Sequence, residues 1–175
     1  MNVKFLNPFL DAAADVLFAE ANITSSRGSI SLQKSALTSS EVTVLISIIG
    51  QIQGVVLFGM STPTSLAIVS RIVDQQFDEL NGLAQSGIAE LGNVISGKAT
   101  INLSNSGYQT TISPPTLVIG RGAQISTLDF SRIVVPLETK VGPIMIHLAV
   151  RESESSANIS MGPLVASAKS NPQVP

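Results

Sequence analysis

No residue between Glu41 and Arg71 carries a charge, and Val42–Met60 within that stretch is almost wholly apolar. A run of this length is stable either as one helix across a bilayer or buried inside a folded domain. Gly50, Gln51, Gln53 and Gly54 decide between the two, because they set two glycines and two carboxamides at the centre of the run. Val and Ile dominate both halves, as they do in strands covered on both faces. The run therefore reads as two interior antiparallel strands, Val42–Ile49 and Gly54–Met60, joined by a turn, and not as a membrane span. By the same argument Gly50-x-x-x-Gly54 is not a transmembrane dimerisation motif.

The other elements arrange themselves around this hairpin. Asn7 is placed to cap a helix with Pro8 at its first position, running to about Ala21 with Phe9, Ala13, Val16 and Leu17 on its apolar side. Asn22–Gly28 reads as loop, Ser29–Gln33 as a short strand with Ile30 and Leu32 on one face, and Ser35–Ser40 as a polar connection. Thr62-Pro63 opens a second helix that ends near Val73, and a short break at Asp74–Gln76 separates it from a longer helical pattern, Phe77 to about Leu103. Tyr108–Ser113 and Thr116–Ile119 read as strands parted by Pro114-Pro115. Gly120-Arg121-Gly122 reads as a turn too short to cradle a phosphate. Ile133–Glu138 and Pro143–Arg151 read as strands joined by a turn at Thr139–Gly142, with Pro136 marking an edge or a bulge. Helices mixed with hairpin-linked strands predict a two-layer α+β domain, helices packed on a largely antiparallel sheet. The 175 residues suit one such domain. It is expected over residues 1–152, with 153–175, rich in Ser, Ala, Asn and Pro, as a mobile tail.

The long helical pattern carries the candidate chemistry. Leu80, Ala84, Ile88, Leu91, Ile95 and Ala99 recur at gaps of four and three, which places them in one stripe facing a core. At 3.6 residues per turn, Ser86, Glu90 and Asn93 fall within an arc of roughly 60°, away from that stripe. A hydroxyl, a carboxylate and a carboxamide thus project from one patch, with Gly82, Ala89 and Gly97 leaving bare backbone beside them. Taken alone, such a triplet is the solvated side of an amphipathic helix. Asn93 and Gly92 are both weak helix formers, which raises a functional question without answering it.

Composition removes several classes of chemistry. Charged residues are 13% of the chain against 44% hydrophobic, the balance of a globular protein and not of a disordered one. The net charge of −2, without any cluster of Lys and Arg, gives no footprint for nucleic acid. There is no cysteine, so disulfides, thiolate metal sites and cysteine nucleophiles are excluded. His147 is the only histidine and lies in a strand pattern, where it reads as structural, and neither a histidine-based zinc site nor a Ser-His-Asp triad is expected. Lys4 is followed by too few apolar residues before Pro8 and Asp11 to form a signal peptide.

The spacing Ser86-x-x-x-Glu90-x-x-Asn93, followed by Ile95-Ser96-Gly97-Lys98-Ala99, resembles the signature helix of the CheC/CheX chemotaxis phosphatases: Asp or Ser, then Glu four on, then Asn three further. Leu6-Asn7-Pro8-Phe9 resembles the opening of CheX-type chains, Ile49-Gly50 through Gly54-Val55-Val56-Leu57 their central hairpin, and Pro115–Gly120 a later strand. The likeness extends over roughly Lys4 to Arg151. It implies a CheC-like pseudo-duplicated fold in which each half can carry the signature. In the first helix Asp11-x-x-x-Asp15-x-x-Phe18 keeps the spacing, but Asp replaces Glu and Phe replaces Asn, so this half looks degenerate, as in the CheX type.

The resemblance further implies a cytoplasmic homodimer that hydrolyses the aspartyl phosphate of a phosphorylated CheY-type response regulator. Asn93 would orient the attacking water, Glu90 would pair with a lysine of the regulator, and Ser86 would add a polar contact. Magnesium would sit on the partner, and this chain would need no metal ligand. Two other readings stay open. A binding module would use Glu90 for docking and hydrolyse nothing. An independent acid–base hydrolase would use Glu90 with Glu79 or Asp78, and would need a deep pocket and a perturbed carboxylate.

Overall fold

The computed structural model describes residues 3–34, 37–126 and 131–153; the expected tail lies outside them from residue 154 onward. A 3-10 turn, Val3–Phe5, leads into α1 (Leu6–Ala21), followed by β1 (Ser25–Arg27), β2 (Ser31–Gln33) and β3 (Leu37–Thr38). The hairpin β4 (Val42–Gly50) and β5 (Ile52–Met60) comes next, then α2 (Thr62–Val73) and α3 (Gly82–Asn105). The chain continues through β6 (Thr110–Ile112), β7 (Thr116–Ile119), β8 (Gln124–Ile125), β9 (Arg132–Thr139) and β10 (Ile144–Glu152).

The charge-free run folds as the antiparallel hairpin, with Val42 opposite Met60 and Ile48 opposite Gly54. It forms the centre of a sheet ordered β1-β9-β10-β5-β4-β6. On the outer edges β2 also pairs with β9, and β7 with β4; β3 and β8 pair separately. Every pairing is antiparallel. The helices form the second layer, α3 packing against α1, α2 and β4. Val44, Ile46, Val56 and Phe58 from the hairpin join Ile88, Leu91 and Ile95 of α3, and Phe9, Val16 and Leu17 of α1, in one buried core. Among the described residues no helix is long and apolar enough to cross a membrane.

Several boundaries differ from the sequence reading, each for a local reason. Asn7 is not a cap: the helix begins one residue earlier, at Leu6, and the capping position is Phe5, whose side chain makes no capping bond. Pro8 is tolerated as the third helical residue because its missing N–H would have had no partner in the first turn. The break after α2 is longer than Asp74–Gln76. Asp74 takes a left-handed conformation, and α3 starts only where the Asn81 carboxamide oxygen accepts from the backbone N–H of Leu83 and Ala84. Phe77 is buried without being helical. Ser25–Arg27 is a strand within the expected loop, and Leu37–Thr38 another within the expected polar connection. Of Ser29–Gln33 only Ser31–Gln33 is strand, and Ile30 and Leu32 are exposed.

Pro136 is not at a sheet edge, since strands lie on both sides of β9, but it does mark a bulge. Arg27 pairs with Leu137 and Ser31 with Val134, so three residues of the outer chain, 28–30, lie opposite two of β9, Val135 and Pro136. The N–H of Gly28 donates to Pro136 O at 2.8 Å. A Cβ on Gly28 would lie 2.6 Å from Pro136 Cγ, so the residue facing the proline has to lack one.

Two glycines set how closely α3 sits. An added Cβ at Gly92 would fall 2.7 Å from Val44 Cγ1 on β4, and one at Gly87 would fall 2.5 Å from Val69 Cγ2 on α2. Gly92 is therefore a packing residue, which offsets its low helix propensity. Val44 is fully buried and stiff at χ1, so it has little room to yield. The expected result of Gly92→Ala is a loss of about 1–3 kcal/mol in urea unfolding, the range for overpacking a filled core; an unchanged midpoint would show that the close seating is not required.

Candidate functional site

α3 presents the signature residues on its solvent side. Ser86 and Glu90 are exposed and Asn93 is half-buried, while Ile88, Leu91 and Ile95 beneath them are buried. The apolar stripe holds as read from Ala84 to Ala99; Leu80 packs against the same core from the loop before the helix.

The three side chains differ in what they leave available. Ser86 Oγ donates to Gly82 O at 2.9 Å, so its proton is engaged by its own helix and only its lone pairs face outward. Asn93 Nδ2 donates to Glu90 Oε2 at 3.3 Å. An ionised carboxylate only accepts, so the amide must turn its NH2 toward Glu90, and that directs its carbonyl oxygen elsewhere. Among the described residues that oxygen has no hydrogen-bond partner, and Glu90 enters no ion pair. Lys98, two turns further along α3, is drawn to Asp15 of α1 at 2.8 Å. The site therefore offers an oriented amide oxygen and an uncompensated carboxylate, side by side on an open surface.

An enclosed acid–base site is not what this geometry forms. Asp78 and Glu79 are exposed in the loop before α3 and do not lie on its signature face. Three cavities of about 250 to 330 Å³ are lined by other residues. One of them is bounded by Ser39, Ser61, Arg121 and Glu41 at the start of α2. There the Glu41 carboxylate accepts from Thr62 N at 2.6 Å and pairs with Arg121. The backbone N–H and then the guanidinium hold Glu41 below the usual carboxylate range. It ties the turn after β7 to the start of α2, a link with no signal in the sequence.

His147 lies on the other face of the sheet. Ile144, Ile146, Leu148 and Val150 of β10 face the helices, and His147 alternates with them, opposite Leu57 and Val134. It is 6% exposed, and its Nδ1 has no partner among the described residues. Arg132 on β9 is buried on the same side and donates to Gln33 Oε1 at 2.8 Å. Burial, and then the charge of Arg132, lower the His147 pKa from 6.5 to about 4. The unfolded chain therefore takes up this proton first. Stability from neutral His147 is complete above about pH 6.5 and is lost as pH falls toward 4. The loss amounts to roughly 3 kcal/mol, and His147→Leu is expected to flatten that part of a stability–pH curve measured by urea unfolding. Equal slopes in the two proteins would mean that other groups carry the dependence.

The chain matches the family described as Chemotaxis phosphatase CheX over residues 42–138, more than half its length and including all of α3. A protein from Thermotoga maritima named CheY-P phosphatase CheX is 28% identical over 128 residues, 73% of this chain and 83% of that one. Among solved structures, a CheC-like superfamily protein from Shewanella sp. PV-4 superposes with a TM-score of 0.78 at 28% identity, covering 86% of this chain and 99% of its own. A CheX–CheY–BeF3–Mg complex from Borrelia burgdorferi shares the fold at a TM-score of 0.72 and 24% identity, over 86% of this chain and 100% of that one.

Proposed function

The chain belongs to the CheX chemotaxis phosphatase family, and from that premise we propose that it hydrolyses the aspartyl phosphate of a CheY-type response regulator, with Asn93 as the water-orienting residue. The observation that carries this reading is the Asn93–Glu90 hydrogen bond, which leaves the amide oxygen turned away from its own chain. The named activity of the Thermotoga relative and the CheX–CheY complex of the Borrelia protein support it.

An acyl phosphate is already activated, so hydrolysis depends on holding a water in line with the bond that breaks. The phosphoryl group passes through a loose transition state in which positioning and charge stabilisation dominate. The Asn93 carbonyl oxygen accepts a hydrogen bond from the water and aims its lone pair at phosphorus. The water oxygen bonds to phosphorus and the bond to the aspartyl oxygen breaks; the regulator's aspartate carboxylate is regenerated, and inorganic phosphate leaves carrying the protons of the water. A carboxylate at position 93 would repel the phosphoryl oxygens; the neutral amide does not. Glu90 meets a lysine of the regulator and so docks α3 across the phosphorylated site, while Ser86 accepts a further polar contact. Magnesium belongs to the regulator in this scheme, because one carboxylate beside an amide and a hydroxyl is a poor donor set for an octahedral ion. The working unit is a cytoplasmic homodimer with one site per chain.

Separate substitutions test the two roles. Glu90→Ala is expected to weaken binding to a regulator carrying a non-hydrolysable phosphate mimic, with the larger loss at low salt, because exposed ion pairs are screened. Asn93→Ala is expected to bind that regulator normally while catalysed phosphate release falls by about 10²-fold, the scale for deleting one positioned polar group. Unchanged release by Asn93→Ala would refute the catalytic role and favour a binding module that uses Glu90 alone.

A further inference from the structure

Beside the polar triplet, α3 exposes an apolar stripe that the intramolecular fold does not use. Leu83, Val94 and Ile101 are 52%, 38% and 62% exposed. They are spaced by eleven and seven residues, about three turns and two, so they lie on one line along the helix, and Glu90 lies on that line between Leu83 and Val94. From Leu83 to Ile101 the line is about 27 Å long at 1.5 Å per residue. Gly97 leaves a gap between Val94 and Ile101, and a Cβ added there would meet nothing within 4 Å. Gly92 and Gly87 are bare because their own chain presses on them; Gly97 has no such reason.

The neighbouring helix extends the patch. Lys98 pairs with Asp15 and the Asn102 amide donates to Pro8 O, so α1 runs antiparallel beside α3. One turn on from Asp15 is Phe18, and one turn back from Lys98 is Val94. Phe18 is 57% exposed, the one aromatic side chain with large exposure among the described residues. It stands at the position where the first half of the duplicated signature has lost its Asn.

We infer that Phe18 and the Leu83–Val94–Ile101 stripe, with the gap at Gly97, form the apolar footprint of the same receiver domain whose phosphate Asn93 addresses. This rests on the proposed function and deepens it by assigning the docking residues. Glu90 and Asn93 are short reaches from the helix, so the regulator's lysine and the water at its phosphate can meet them only if the partner lies close along α3, and the apolar line beside them is then covered. Its length of about 27 Å suits one side of a standard interface, about 800 Å² per partner. An exposed apolar patch with an aromatic side chain in it marks a surface that meets another protein. Phe18 is then more than the remnant of a lost site: it anchors the partner of the intact one.

The test measures affinity for the beryllofluoride-activated receiver domain and, separately, steady-state phosphate release. Phe18→Ala and Ile101→Ala are each expected to weaken binding about fivefold or more and to place the loss in KM rather than kcat. Leu32→Ala, which removes a comparable exposed side chain from β2, is expected to change neither. Gly97→Gln fills the gap with a better helix former, so Tm is expected to hold or rise while binding falls; a destabilised or misfolded protein cannot produce that pair of results. Binding unchanged in Phe18→Ala, Ile101→Ala and Gly97→Gln overturns the footprint while leaving the role of Asn93 intact. Wild-type protein that binds the receiver through this patch without releasing phosphate leaves the footprint standing and removes the catalysis. Absence of binding to every receiver domain of the organism overturns both.

Discussion

The seating of α3 on the β4–β5 hairpin is the contact on which the rest of the structure depends. Ile88, Leu91 and Ile95 enter the core formed by Val44, Ile46, Val56 and Phe58, and Gly92 brings the helix backbone close against Val44. Burying each of these aliphatic side chains contributes roughly 1.5–3 kcal/mol relative to exposure. The rotation of the helix is fixed by that burial, because turning it by one residue would lift Ile88 or Leu91 into water. Once the rotation is fixed, Ser86, Glu90 and Asn93 have no choice but to face outward. The geometry of the polar patch is therefore a consequence of apolar packing on the opposite side of the same helix.

What was legible in the sequence follows from that arrangement. The hairpin could be read because both its strands are interior, so that their composition is dictated by burial. α3 could be read because its stripe repeats over five turns. Its start could not, because Phe77 and Leu80 are apolar and face the core without being helical, and so continue the pattern across a real break. Asn81 was the available signal: a carboxamide ahead of a helix is a strong capping residue. The strands β1 and β2 are three residues long, mostly polar and largely exposed, and β3 and β8 are only two residues long. Their conformation comes from the partners they pair with, above all β9, and no local pattern encodes it. The bulge at Pro136 is of the same kind, since the proline and Gly28 that faces it are far apart in the chain.

The candidate site was legible in its residue types and spacing, but not in its hydrogen bonding. Spacing alone places Glu90 and Asn93 on adjacent turns; it does not say that the amide donates to the carboxylate, which decides the direction of its oxygen. Nor does it say that Lys98 pairs with Asp15 of α1. On the proposed function, the direction of that oxygen and the exposed Glu90 carboxylate suit a patch that meets a partner.

The glycines of α3 bear on the same patch in another way. Each interior glycine costs a helix about 1 kcal/mol relative to alanine. Gly87 and Gly92 recover that cost through the closeness of α2 and β4, which a Cβ would prevent. Gly97 recovers nothing within the chain, since the space beside it is open. A helix that retains such a residue next to an exposed aliphatic line, in a turn adjoining the polar patch, is less stable than it has room to be. On the proposed docking, a partner surface that comes close to the helix backbone accounts for that cost.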